Sequence, residues 1–224
     1  MGGKFQTSGR FGPIGTILGT FGQHGDGAKT PAMAKLYFYY ASMNAGKSTT
    51  LLQSSFNYQE RGMETMLFTA AIDNRYAPGM ITSRIGLEAA ATAFTPQMDI
   101  FGQVAAEHAR RPLSCVLIDE AQFLSRDQVF QLARICDDLG IPVLAYGLRT
   151  DFQANLFEGS MHLLALADVL VELKAVCACG RKATMNLRVD AAGNAIRQGA
   201  QTEIGGNDRY IALCRRHYME KARP

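Results

Sequence analysis

Residues 36–49 read LYFYYASMNAGKST, and residues 114–122 read SCVLIDEAQ. In the first stretch, the apolar aromatic run from Leu36 to Tyr40 predicts a buried strand. Small residues follow, through Ala41, Ser42, Met43, Asn44, Ala45 and Gly46. Lys47 comes next, and Ser48 to Arg61 has helical length and composition, stopped by Gly62. Strand, Gly-Lys-Ser, helix is the setting of a phosphate loop. Gly46 lets the backbone bend round a polyphosphate, and successive N–H groups with the helix N-terminus turn positive potential toward it. Lys47 adds a point charge for the β/γ oxygens, and Ser48 supplies a hydroxyl for Mg²⁺. One departure is plain: Ala41 stands where the pattern has its first glycine.

The second stretch is an apolar strand closed by two carboxylates, Asp119 and Glu120, 72 positions after Lys47. Aimed at the same crevice, Asp119 would hold Mg²⁺ and Glu120 would accept a proton from the attacking nucleophile. Asp119-Glu120-Ala121-Gln122 leaves two function classes open. In nucleic-acid-dependent helicase ATPases the glutamate of such a box activates water. In a small-molecule kinase it would deprotonate a substrate hydroxyl. Size favours the kinase, since a helicase needs two ATPase domains.

Working outward, residues 65–71, 114–118 and 141–148 read as further strands. Residues 74–98 read as irregular, broken by Pro78, Gly79, Gly86 and Pro96. A helix is expected around 99–110, and a clearer one after Ser125, where Ser125 and Gln128 form a capping-box pair. Val129, Leu132, Ala133, Cys136 and Leu139 share its apolar face, and Gly140 sits past its end. Residues 161–174 read as a helix running into a strand. Strands alternating with helices predict an α/β fold, a P-loop-like, mostly parallel sheet flanked by helices, with ligands beyond the carboxyl ends of the strands.

Composition bounds the rest. In 224 residues, 47% hydrophobic and 19% charged, disorder as the dominant state, a collagen-like chain and a coiled coil are excluded. No run of about 18 apolar residues occurs, so no membrane partner is expected. The net charge of +3 is mostly local: residues 1–32 hold Lys4, Arg10 and Lys29 against Asp26, and the remainder is near neutral. A bulk footprint for nucleic acid is therefore lacking. Nine of the 22 glycines also fall in 1–32, which reads as a disordered leader or an over-extended start, with Met33 a more natural beginning. The expected division is 1–32 leader, 33–175 nucleotide-binding α/β domain, 176–220 metal-stapled module and 221–224 tail.

Five cysteines, an odd number, argue for a reducing, cytoplasmic compartment. Cys115 and Cys136 lie in apolar surroundings and read as core. Cys177 and Cys179, then Cys214 and His217, form two close pairs with 34 residues between them. Three thiolates and an imidazole suit tetrahedral Zn²⁺ and leave no open position, so a structural site is expected. A zinc ribbon can also bind nucleic acid, and Arg181, Lys182, Arg188, Arg197, Arg209, Arg215 and Arg216 lie near it. Interleaved Asp190, Glu203, Asp208 and Glu220 favour a solvated surface instead. His24, His108 and His162 receive no role.

With these pieces placed, residues 33–220 resemble the type II thymidine kinases, bacterial branch. The resemblance is carried by residues 37–49 (YFYYASMNAGKST), 72–76 (IDNRY), 83–87 (SRIGL), 119–124 (DEAQFL), 146–152 (YGLRTDF), 179–183 (CGRKA) and 204–210 (IGGNDRY). It implies transfer of the ATP γ-phosphoryl group to the 5′-hydroxyl of thymidine, in nucleoside salvage for DNA synthesis. It implies an ATP–Mg²⁺ site from residues 41–48, Asp73, Arg75, Asp119, Glu120, Ala121 and Gln122, with Glu120 as general base. Phe152 resembles the residue stacking on the pyrimidine. Gln201, Thr202, Glu203, Ile204 and Gly205 resemble a lasso whose backbone reads the base edge, and Tyr210 the residue closing over it. Met43 is expected near the base. A homotetramer, feedback inhibition by thymidine triphosphate and acceptance of deoxyuridine are implied as well. Two other readings stay open at this point: a nucleic-acid-stimulated ATPase with a zinc ribbon, and a non-catalytic nucleotide sensor.

Overall fold

A computed structural model describes residues 33–73, 79–202 and 209–222. The chain divides into two units, 1–31 and 32–224. The expected leader lies outside the described residues.

In chain order the elements are β1 (Leu36–Ala41), α1 (Lys47–Gln59), β2 (Glu64–Ala70), β3 (Met80–Thr82), β4 (Glu88–Ala90), β5 (Thr92–Phe94), α2 (Ile100–Arg110) and β6 (Leu113–Ile118). A 3-10 turn (Ala121–Phe123) precedes α3 (Arg126–Leu139), β7 (Val143–Leu148), α4 (Glu158–Leu166) and β8 (Val169–Glu172). Then come β9 (Ala175–Val176), β10 (Lys182–Ala183), β11 (Met185–Arg188), β12 (Tyr210–Leu213) and α5 (Arg215–Ala222).

The main sheet runs β5-β2-β6-β7-β1-β8, and every pair in it is parallel. Its strands read as unbroken apolar runs because both faces are covered. Val116, Ile118, Val143 and Ala145 join one core with Ile100, Val104, Val129, Leu132 and Leu163 of α2, α3 and α4. Their neighbours Cys115, Leu117, Leu144 and Tyr146 join a second core with Leu51 and Leu52 of α1. The period of two along each strand thus sends alternate side chains into opposite layers.

The expected capping box of α3 is present: Ser125 Oγ accepts the Gln128 N–H, Gln128 Oε1 accepts the Ser125 N–H, and Gly140 closes the helix at φ 67°. Cys115 and Cys136 are buried in the two sheet cores. One expectation is corrected. Residues 79–94 are not irregular: β3 and β4 form an antiparallel hairpin turned at Gly86, and β5 pairs with β2. Strands of three residues carry too few positions for a readable period, and β5 is ordered by residues 68–70, far away in sequence. The segment 161–174 is, as expected, a helix running into a strand: α4 begins at Glu158 and ends at Leu166, and β8 follows.

A third apolar cluster lies in the C-terminal part. Ala175, Cys177, Ala183, Met185, Leu187, Val189, Leu213, Cys214 and Tyr218 pack together around β11–β12 and α5.

Candidate active site

β1 ends at Ala41 and α1 begins at Lys47, so the loop between them lies at the carboxyl edge of the sheet. Asn44 and Gly46 are both left-handed, at φ 63° and 76°. A Cβ on Gly46 would meet nothing within 4 Å, so it is the backbone conformation that demands glycine. Alternation of this kind turns consecutive N–H groups inward and makes an anion-binding concavity ahead of the α1 N-terminus. Lys47 is largely buried, and its ammonium donates to the Ser42 carbonyl at 3.1 Å, which holds its stem across the loop.

β7 separates β1 from β6, yet the first turn of α1 reaches the residue that follows β6. Ser48 Oγ donates to Asp119 Oδ2 at 2.8 Å. Asp119 is 4% exposed, and its other oxygen accepts the Glu120 N–H at 3.0 Å. Burial first, and the adjacent Glu120 carboxylate second, push the Asp119 pKa up to about 7. Hydroxyl and carboxylate oxygens brought together in this way are the donors a hard cation takes, and a cation would relieve both causes of that shift. These residues therefore fit Mg²⁺.

Glu120 is left-handed at φ 53°, unusual for a non-glycine residue. Two hydrogen bonds hold it there: its N–H to Asp119 and its carbonyl from the Phe123 N–H. Gln122 Nε2 donates to Glu120 Oε2, while Gln122 Oε1 accepts the Leu148 N–H at 3.0 Å. The backbone contact fixes which way the amide points, so its NH₂ faces the carboxylate. Gly159 in α4 lets this turn sit close. A Cβ there would lie 2.4 Å from the Ala121 carbonyl oxygen.

A cavity of about 350 Å³ opens between these elements. Met43, Asn44, Ala45, Gly46, Lys47, Ser48, Asp73, Glu120 and Gln122 line it, as do Phe152, Gln201, Thr202 and Tyr210. Ala41, Ser42, Asp119 and Ala121 stand behind that lining, all buried. Arg75, Glu203, Ile204 and Gly205 lie outside the described residues. Sequence reasoning missed Asn186 as a site residue. It is 2% exposed and lines the cavity, accepts the Met43 N–H at 2.8 Å and donates to the Thr150 carbonyl at 3.1 Å. It thereby ties β11 to the loop that precedes Lys47. A polar residue between buried Met185 and Leu187 was the signal available. Thr82, Ser83, Arg84 and Ile85 also line the cavity, from a hairpin read as irregular.

The four metal-type residues converge. One ligand atom from each of Cys177, Cys179, Cys214 and His217 lies within 4.8 Å of the others. Cys177 Sγ is 3.3 Å from His217 Nδ1, and the sulfurs of Cys179 and Cys214 are 3.8 Å apart. Tetrahedral zinc, with sulfur at about 2.3 Å and nitrogen at about 2.0 Å, spaces neighbouring ligand atoms by roughly 3.5–3.8 Å. The cluster is compatible with zinc and too wide for a disulfide, whose sulfurs lie about 2.05 Å apart. Backbone N–H groups of Cys179 and Cys214 draw the Cys177 thiol down to about 6, toward the thiolate a metal needs.

A family model for thymidine kinase matches residues 34–218. The chain belongs to the thymidine kinase family. A thymidine kinase of Zymomonas mobilis is 69% identical over 189 residues, covering 84% of this chain and 98% of the relative. One of Novosphingobium aromaticivorans is 70% identical over 188 residues, with the same coverages. One of Pasteurella multocida is 60% identical over 189 residues, again at 84% and 98%. A solved replication initiator DnaA bound to AMPPCP and single-stranded DNA aligns with 63% of this chain and 40% of its own at 18% identity, with a TM-score of 0.37, too low to bear on function. Among the described residues, no helix is long and apolar enough to cross a membrane.

Proposed function

We propose that this chain is an ATP-dependent thymidine kinase that moves the γ-phosphoryl group of ATP to the 5′-hydroxyl of thymidine. The observation that carries the reading is one cavity lined by the Lys47 loop, by Glu120, and by Phe152 and Tyr210. A phosphate cradle, a carboxylate base and an aromatic platform share one space.

In this reading residues 41–48, with Asp73, Arg75, Asp119, Ala121 and Gln122, hold ATP, and Ser48 and Asp119 hold Mg²⁺. Bound there, Mg²⁺ supplies positive charge to the phosphate oxygens. Glu120 takes the proton of the 5′-hydroxyl as its oxygen bonds to the γ-phosphorus and the bond to the β-phosphate oxygen breaks, releasing ADP. Gln122 aims that carboxylate. Phe152 stacks on the base, residues 201–205 read its edge, and Tyr210 closes over it. Enclosure excludes water that would otherwise hydrolyse ATP. Residues 33–175 act as the nucleotide domain and 176–220 as a lasso stapled by zinc on Cys177, Cys179, Cys214 and His217. Drawn from family membership are a cytoplasmic homotetramer, feedback inhibition by thymidine triphosphate and acceptance of deoxyuridine.

The test is incubation with Mg²⁺-ATP and a nucleoside panel, followed by detection of monophosphate. Thymidine monophosphate is expected, and Glu120→Gln should cut its formation roughly 100-fold or more while ATP binding persists. ATPase activity that DNA stimulates, with no nucleoside phosphorylated, would overturn the reading. Near-normal turnover in the variant would remove Glu120 from its role.

A further inference from the structure

The aromatic platform is held from the far side of the chain. Phe152 is 3% exposed although it lines the cavity, so most of its surface is spent on neighbours. The loop that carries it is organised around Asp151. One oxygen of that carboxylate accepts the N–H groups of Gln153 and Asn155, and the other accepts Gln201 Nε2 at 3.1 Å. These contacts shape the loop without gripping Phe152 itself. Two residues of the C-terminal part do grip it. The Arg188 guanidinium lies over the Phe152 ring, 4.9 Å from its centroid. The Tyr218 hydroxyl donates to the Phe152 carbonyl at 2.8 Å, in a buried contact 66 residues apart in sequence.

Tyr218 occupies a particular place. Cys214 and His217, two members of the metal cluster, bracket the first turn of α5, and Tyr218 follows directly. Its own N–H donates to the Cys214 carbonyl at 3.0 Å. A helix of eight residues has little stability of its own, so its position depends on the cluster and on the apolar packing of Tyr218. From the metal-type residues to the platform there is thus one short, covalently and hydrogen-bonded path.

We infer that Tyr218 is a positioning residue for the nucleoside: through its hydroxyl the metal-cluster helix sets the height of Phe152 in the cavity, and so sets nucleoside affinity. The inference rests on the reading of Phe152 as the nucleoside platform. A gap of about 0.5–1 Å already forfeits a quarter to a half of a contact's attraction, so a carbonyl left free to shift is felt by the base. The base does not change during phosphoryl transfer, so its loss acts on binding in the ground and transition states alike. That pattern raises KM and leaves kcat in place.

The experiment uses the full-length, zinc-loaded protein and Tyr218→Phe, which deletes one oxygen and keeps the ring in its packing. Thymidine affinity is read by calorimetry without ATP, beside KM for both substrates, kcat and zinc content. Losing one buried hydrogen bond should weaken thymidine Kd and KM by roughly 3- to 10-fold. ATP KM, kcat and zinc content should stay within about two-fold of wild type. Unchanged thymidine Kd in a zinc-replete variant overturns the inference. So does parallel loss of zinc, ATP affinity and kcat, which marks Tyr218 as a residue of the fold only. A second measurement separates the metal's part. Zinc withdrawal by a chelator should weaken thymidine binding more in wild type than in Tyr218→Phe, and equal losses refute the path through the hydroxyl. If wild type itself neither binds nor phosphorylates thymidine, the kinase reading fails with it; a normal wild type beside an indistinguishable variant sinks the positioning role alone.

Discussion

Replacing Asp119 by Asn is expected to make the ligand-free protein more stable near pH 8 and to remove most of its turnover. The carboxyl is buried, and burial followed by the Glu120 carboxylate raises its pKa from 3.8 to about 7. Between roughly pH 4 and pH 7 the folded state therefore keeps a proton that the unfolded chain has lost. Stability falls as pH rises through that window, and the full cost is present above about pH 7. A carboxyl moved from 3.8 to about 7 caps that cost at about 4 kcal/mol. Asparagine preserves both local hydrogen bonds, because its oxygen accepts the Glu120 N–H and its amide donates to Ser48 Oγ, the present partners of Asp119. It still buries an amide, so the net gain should be about 1–3 kcal/mol. For a chain of this length that is roughly 3–10 °C in Tm. The assay is thermal and urea unfolding without nucleotide or Mg²⁺ at pH 8 and pH 5.5, wild type against variant. At pH 5.5 the native carboxyl is mostly protonated, so the gain should fall by about 2 kcal/mol and largely vanish. A variant less stable than wild type at pH 8, or a gain that does not depend on pH, refutes the reasoning. Phosphoryl transfer by the same variant should fall by about two orders of magnitude, a cost to function from the very charge that weakens the fold.

Two other substitutions probe the frame. Gly159→Ala would press a methyl against the Ala121 and Leu124 carbonyl oxygens, at 2.4 and 2.9 Å before relaxation. It should destabilise by about 2 kcal/mol or more and lower kcat by displacing the turn that carries Glu120 and Gln122; wild-type Tm and kcat would show that α4 can give way. Cys177→Ala should lower zinc content and raise amide exchange across 177–217, and a full complement of zinc in that variant would mean the ligand set is wrong.

The nucleotide end of the site was legible because its chemistry is local. Residues 41–48 form a loop whose bend depends on its own glycine, and Asp119 and Glu120 follow directly from the strand that presents them. The capping box of α3 was readable for the same reason, since both partners lie within one turn. The nucleoside end was legible only by likeness to a family. Nothing in the stretch around Phe152 shows that Arg188 will cover its ring or that Tyr218 will take its carbonyl. Asn186 looks like a misplaced polar residue in an apolar strand until the Met43 N–H is found against it.

The sequence by itself determined the α/β alternation, the phosphate loop, the paired carboxylates and the identity of four metal-type side chains, because each follows from periods and spacings within about one element. Tertiary structure decided which of these meet. It laid β7 between β1 and β6 yet brought Ser48 to Asp119, drew two distant pairs of metal-type residues into one cluster, and tied the Phe152 carbonyl to a helix that starts beside that cluster. The physical reason is range: backbone conformation and amphipathic period are set by near neighbours, whereas closing a contact over 40 or 140 residues is driven by cores that only the whole chain can bury.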